Sequence, residues 1–481
     1  MFRRLEQILK EFRPCFSRAA AFKWFVIVVI GLITRQDHLG VTSVIRELSL
    51  NPRCYESLIH FFRSTAWTAD KVRTCWYRFL SAHAPVHRVK GRVVLVGDGV
   101  KQSKEGYHMP GVKKMVQESE TQSKGEFIFG HLFGAVGVLI GRRAQKFCLP
   151  LKVNIQDGIR AAADWADSAI SAESHILQMI RNGFEAAESF GKSVLLLDRY
   201  FLSVPALQLM NKLNAEHEED EELLTIVTKA KKNCIAYRLP PSKEIGKKGR
   251  PRKKGESVRL ISLFDDPGVK FKKARVTAYG EQKDVEYYCV DLLWGMKHYQ
   301  KLRFVLVKWD GVTSILVTTD LTLSPVSVIE LYAWRAKIES MFLEMKQQIG
   351  GFGYHFWTAA MPKLNHYARP EAPDPMSQVT DVERRKRILD CIRATEAFVV
   401  CSTIAMGIVQ LISMKECGKG SIRNFRYMRT PSKVKPSEGT VMYFFRRNLF
   451  SMLLQNPDSF VTRFIRERQS ETSDDTVDDV A

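Results

Sequence analysis

Arg92-Val-Val-Leu-Val-Gly-Asp98 is an apolar run closed by an acid. A stretch this short, rich in β-branched residues and without polar alternation, suits a strand buried on both faces. Ser193-Val-Leu-Leu-Leu-Asp198 repeats the pattern and again ends in Asp. Between the two, residues 126–140 and 144–153 read as further strands, and 161–190 as a helix ending near Gly191. Residues 204–213 read as helical, and another strand is expected within 223–239. Three strands, helix, strand, helix, strand predict an α/β fold, a mixed sheet covered by helices. Acids that close such strands stand in the crevice where open α/β sheets bind ligands. An Asp at a strand end also serves as a plain cap or turn residue.

Outward from this core, residues 1–90 carry apolar positions at helix spacing in five segments and hold 15 Lys and Arg against 6 Asp and Glu. They predict a basic helical domain, suited to reading DNA or to packing on the core with a charged exterior. Residues 241–325 interrupt the α/β pattern. They begin with the solvated basic loop Gly246-Lys-Lys-Gly-Arg-Pro-Arg-Lys-Lys-Gly255 and continue as β-type runs at 257–264, 274–278, 285–292 and 304–319, a β-rich insertion. After the helix of 326–360 comes a C-terminal helical region, 361–465, with a long helix over 383–414. The tail, 466–481, is acidic beyond Gln469 and is expected to be disordered.

Tyr332-Ala-Trp-Arg335-Ala-Lys-Ile-Glu339, followed by Lys346, gives the second carboxylate-bearing motif. On one continuous helix, Tyr332, Arg335, Glu339 and Lys346 fall within a stripe roughly 60° wide. A packing face would be apolar there. A carboxylate among phosphate-binding cations, together with Asp98 and Asp198, instead suggests a metal-dependent site for phosphoryl transfer on DNA. An Arg335–Glu339 surface pair explains two of the four residues and leaves Tyr332 and Lys346 unaccounted for.

The formal charge of +21 implies a polyanionic partner and says nothing about fold. Residues 25–33, the longest strongly apolar run in this reading, cover half of what a membrane span requires, so no membrane partner is expected and the chain reads as cytoplasmic. Nine scattered cysteines without CxxC spacing fit reduced thiols and exclude a zinc ribbon or disulfide framework.

Asp98, Asp198, Glu339 and the Y-x2-R-x3-E-x6-K spacing resemble the bacterial insertion-sequence DDE transposases that carry the YREK signature. Asp198-Arg199, the GRPRKKG loop and Thr318-Thr319-Asp320-Leu321 agree with that resemblance, which covers about 90–360. It implies a ribonuclease-H-like catalytic core in two parts, 91–240 and 326–360, flanking the insertion. It implies Asp98, Asp198 and Glu339 as ligands of two Mg2+ ions, with Mn2+ able to substitute. Tyr332, Arg335 and Lys346 would contact DNA phosphates. Arg199, Arg250 and Arg252 are further DNA-binding candidates, the last two either in an AT-hook-like core or in a loop touching phosphates only. Relatives that form hairpins stack a flipped base on a Trp ahead of the signature helix. Trp309 is the nearest candidate, although the register places the equivalent position nearer Thr313 or Ser314. The implied activity is cleavage at element ends and strand transfer, with terminal inverted repeats and target DNA as partners, a homodimer in the synaptic complex and nucleoid association. A transposase-derived DNA-binding protein without catalysis and a ribonuclease-H-like nuclease that cuts without joining are the alternatives.

Overall fold

The computed structural model describes residues 1–117, 126–142, 145–217, 222–241, 252–367, 372–415 and 436–469. Five helices open the chain: α1 (Phe2–Glu11), α2 (Ala19–Thr34), α3 (Thr42–Glu47), α4 (Cys54–Arg63) and α5 (Ala69–His83). The strands β1 (Arg88–Val89), β2 (Arg92–Ser103), β3 (Lys113–Val116), β4 (Phe127–Arg142) and β5 (Gln145–Ile155) follow. Then come α6 (His175–Phe190), β6 (Ser193–Leu196), α7 (Val204–Glu216) and β7 (Leu224–Lys229). β2, β4 and β5 pair antiparallel, while β6 and β7 run parallel to β2, giving the spatial order β5-β4-β2-β6-β7. This is the ribonuclease-H-like mixed sheet, and it bears out the expected fold class.

The stretch after β7 adds β8 (Ile235–Tyr237), β9 (Ser257–Arg259), β10 (Lys272–Ala278), β11 (Glu281–Trp294), β12 (Gln300–Trp309) and β13 (Val312–Thr318). β13 pairs antiparallel with β7, so these strands continue the core sheet to 13 strands. α8 (Pro325–Trp334), α9 (Lys337–Glu344) and a π-helical turn (Met345–Ile349) lead to α10 (Val382–Lys415), α11 (Glu438–Gln455) and α12 (Phe460–Arg466).

Local chemistry sets these boundaries. The side chains of Thr68, Ser174, Ser203 and Ser324 accept the first free backbone N–H groups of α5, α6, α7 and α8. The cap at Ser174 explains why the expected helix over 161–190 shortens to His175–Phe190. Residues 304–319, read as one run, fold back at Asp310-Gly311, where both residues have positive φ, the requirement of a two-residue hairpin turn. Residues 257–264 keep three residues of strand and then turn into a 3-10 helix.

The N-terminal helices share one hydrophobic core with the sheet and the C-terminal helices. α2, apolar on every side, packs against α4, α10, α11 and α12. α10 is long and apolar enough to cross a membrane, but 94% of its most apolar window is buried inside the protein, as in a core helix. The eight described cysteines are free thiols. The acidic tail beyond Gln469 lies outside the described residues.

Candidate active site

The triplet Gly97-Asp98-Gly99 is built for two faces. A Cβ at Gly97 would lie 2.8 Å from Met179 Sδ and from Leu197 Cδ2, and one at Gly99 would lie 3.0 Å from His175 Nε2. The bare glycine face lets α6 approach, and strand alternation turns Asp98 to the opposite face. β2 does not end at Asp98, as the sequence suggested, but continues antiparallel to β4 as far as Ser103. The edge is made instead by the neighbour. Parallel pairing stops at Val96 and Leu196, and Asp98 and Asp198 each stand two residues beyond that last pair. Register alone brings the two acids side by side.

Asp198 stands two residues past the end of β6, and its carbonyl oxygen accepts hydrogen bonds from Thr228 Oγ1 at 2.9 Å and Phe201 N at 3.0 Å. Its neighbour Arg199 is exposed. Asp98 Oδ1 accepts from the Gly99 backbone at 2.8 Å, and its Oδ2 from Arg335 Nη1 at 2.8 Å. Arg335 Nη2 meanwhile donates to Glu339 Oε1 at 2.8 Å. One guanidinium therefore joins two of the three predicted acids.

The helix behind this contact is not the uniform one expected. α8 ends at Trp334 and α9 begins at Lys337, with Arg335 N, Ile338 N and Glu339 N each bonded three residues back. This join is overwound, and the π-helical turn that carries Lys346 is underwound, so a constant 100° per residue no longer places the four motif residues on one stripe. Their roles in space differ accordingly. Tyr332 and Arg335 lie by the Asp98–Asp198 pair, Glu339 is 61% exposed in the first turn of α9, and Lys346 Nζ donates to the Lys101 carbonyl at 3.3 Å.

Burial pushes the Asp98 carboxyl above its ordinary pKa, with the Asp198 charge adding to the effect and Arg335 opposing it. Burial also raises the Tyr332 phenol to about 12, so it stays a hydrogen-bond donor at neutral pH. Arg335 is raised despite its burial, because Asp98, Asp198 and Glu339 surround its charge. Among the described residues, no three His, Cys, Asp or Glu side chains gather into a metal-holding group, Glu339 being turned onto Arg335.

A cavity of about 340 Å3 adjoins Tyr332 and is lined by Lys229, Tyr279, Trp309 and Ser314, among others. Trp309 stands at the end of β12, its ring 5.8 Å from Tyr279 and 23° from parallel. The structure thus brings Trp309 to the Tyr332 end of the motif. Arg252 is exposed ahead of β9, and Arg250 lies outside the described residues. Lys229, unnoticed in the sequence, ends β7 within electrostatic reach of Arg199, Asp198 and Arg335. Its signal was its place, the last residue of a buried strand like the two that precede Asp98 and Asp198.

No curated protein matches the chain. The sequence profile of one family, described as DDE superfamily endonuclease, matches residues 11–286, which takes in Asp98 and Asp198 and stops before the Tyr332–Lys346 segment. With more than half of its length matched and a ribonuclease-H-like sheet beneath the two acids, the chain belongs to the DDE superfamily endonucleases.

Proposed function

We propose that this endonuclease is a DNA transposase of the YREK group, cutting at element ends and joining the freed end to target DNA. The observation that carries the reading is Arg335 held at 2.8 Å from both Asp98 and Glu339, with Asp198 in register beside Asp98. The donor set suits a hard divalent cation, Mg2+ or Mn2+. It offers only carboxylate oxygens, and a cation relieves both the burial of Asp98 and its repulsion by Asp198. Asp98 and Asp198 would hold such ions, with Glu339 joining them once Arg335 turns to a DNA phosphate. When bound, two ions supply activation of the attacking oxygen and charge neutralisation at the leaving oxygen.

The protein's own groups bind and orient the DNA. Arg335 and Lys346 pair with phosphate oxygens, the protonated Tyr332 donates to one, and Arg199 and Lys229 add positive charge beside Asp198. In the first step water attacks the phosphorus at the element boundary, the P–O3′ bond breaks, and a 3′-OH and a 5′-phosphate result. In the second step that 3′-OH attacks another phosphodiester and releases a new 3′-OH, so no covalent protein–DNA bond is needed. Trp309 and Tyr279 offer aromatic faces for a displaced base at the cavity beside Tyr332. In the same reading residues 1–90 contribute to recognition of the ends, 241–325 is an insertion into the catalytic core, and a homodimer forms the synaptic complex.

Labelled DNA carrying the element's own ends, incubated with Mg2+ or Mn2+, tests the proposal. Wild type should free a 3′-OH at the boundary, and Glu339→Gln should bind the DNA but cut at least about a thousandfold more slowly, since it loses charge neutralisation at the reacting phosphate. Binding without cutting by both proteins would sink the transposase reading in favour of a DNA-binding protein.

A further inference from the structure

We infer that Cys15 and Cys75 form a redox-reactive thiol pair, which a hydroperoxide converts into a disulfide joining the turn after α1 to α5. The pair sits among the N-terminal helices and shares no residue with the acidic site. Its contacts are crosswise. Cys15 closes a 3-10 turn over Arg13–Cys15 and places its Sγ 3.4 Å from the Lys71 carbonyl of α5. Cys75, one helical turn beyond Lys71, places its Sγ 3.3 Å from the Glu11 carbonyl at the end of α1. Each sulfur therefore reaches the backbone of the opposite segment, and in the seam between them the two thiols hydrogen-bond one another.

A thiolate, not a thiol, is the nucleophile, and cations beside a cysteine favour it. The hydrogen bond from Cys75 draws the Cys15 thiol below its ordinary pKa, with Arg78 and Lys71 adding to the effect and burial opposing it. Cys75 goes up in return, because the shared hydrogen bond holds its proton. The six other described thiols are all raised, chiefly by burial, and none of them has a second thiol as its partner. Cys15 is 8% exposed and Cys75 half-buried, so a small oxidant enters from the Cys75 side. The Cys15 thiolate attacks the terminal oxygen of the hydroperoxide, the O–O bond breaks, and the departing alkoxide takes up the proton that Cys15 released. A sulfenic acid is left on Cys15. The Cys75 thiol then attacks that sulfur, the S–O bond breaks, and the Cys75 proton leaves with the hydroxide as water. Two thiols are oxidised and one hydroperoxide is reduced to an alcohol and water, or to two waters from hydrogen peroxide. The link closes a loop that contains α2, α3 and α4.

The test treats the full chain, reduced and freed of reductant, with a slight excess of hydrogen peroxide. The chain is then blocked with iodoacetamide and digested with trypsin without reduction. Peptides 11–18 and 74–78 should appear as one linked species that dithiothreitol releases. Cys15 and Cys75 should escape alkylation at least about tenfold sooner than the six other described thiols. Cys75→Ser, a change at a half-buried position, should abolish the link and leave on Cys15 a sulfenic acid that dimedone traps. Both thiols still alkylated once other cysteines have reacted would overturn the pair. A link from either thiol to a third cysteine, or between two chains, would overturn it equally. The wild-type peptide map decides the matter even where the variant does not fold.

Discussion

A guanidinium between two carboxylates needs three residues placed by separate parts of the chain. Asp98 comes from β2, and Arg335 and Glu339 from the join of α8 and α9. The same independence marks the buried polar network behind them. His131, fully buried, donates Nε2–H to the Pro110 carbonyl, which can only accept, so its Nδ1 accepts from the Tyr354 hydroxyl at 2.5 Å. Lys104 caps this group, its Nζ donating to the carbonyls of Phe352 and Tyr354 at 2.6 and 2.8 Å. Burial drives His131 down to about 4. The unfolded chain therefore binds a proton between pH 6.5 and 4 that the folded protein refuses. Stability present above pH 6.5 should fall as the pH drops through that window, by roughly 3 kcal/mol from this group. Urea denaturation at pH 7, 5.5 and 4.5 checks this. His131→Gln should show a shallower pH slope, and an identical slope would remove His131 from the account. His87 and His175, also lowered by burial to about 4, add to the wild-type slope in the same direction.

The element that decides the site is the broken signature helix, and it is held at its far end from another part of the chain. Arg35, completely buried after α2, donates to the carbonyls of Ile349 and Gly350 at 2.8 and 2.7 Å, and to Gly40 O and Ser43 Oγ. It satisfies the Ile349 carbonyl at the end of the π-helical turn, which a helix end otherwise surrenders to water, and shares the Gly350 carbonyl with the Gly353 N–H. Arg35→Met should cost about 2–4 kcal/mol, because buried carbonyls lose a charged donor. It should also slow cleavage, since Lys346 rides on that turn. Denaturation together with cleavage assays measures both, and a stability loss below 0.5 kcal/mol would show that water replaces the arginine. Gly350 has φ +63, and a Cβ there would lie 2.5 Å from the His38 ring and 2.7 Å from Arg35 Nη2. Gly350→Ala is therefore expected to destabilise by about 1–3 kcal/mol, read from the same denaturation curves.

Across the whole molecule, charge and packing make two further demands. An excess of 21 positive charges implies strongly salt-dependent DNA binding. With six to ten phosphate contacts, affinity should fall about a thousandfold or more between 50 and 200 mM salt, and a flat titration would speak against a phosphate-dominated interface. Deleting residues 1–84 should leave a chain that aggregates, because α2, α4 and α5 cover α10 and β5. A soluble, cooperatively melting fragment would show that the N-terminal helices are dispensable to the core. The apolar runs before Asp98 and Asp198, the helical spacing of the first 90 residues, the β-rich stretch after residue 241 and the composition of the Tyr332–Lys346 motif were all legible in the sequence. Each is a local pattern, carried by side-chain chemistry within a few residues. The Asp310-Gly311 turn is equally local, although its flanking strands read as one run over 304–319. Tertiary structure alone decided that Val96 pairs with Leu196, which sets the two acids abreast, and that β13 joins β7, which makes the strands after residue 234 continuous with the sheet that carries the acids. It also decided that the signature helix breaks at Arg335–Ala336, letting one guanidinium reach acids 241 residues apart in sequence. Strand register and helix packing are set by partners far away along the chain, and no short stretch of sequence contains both sides of such a contact.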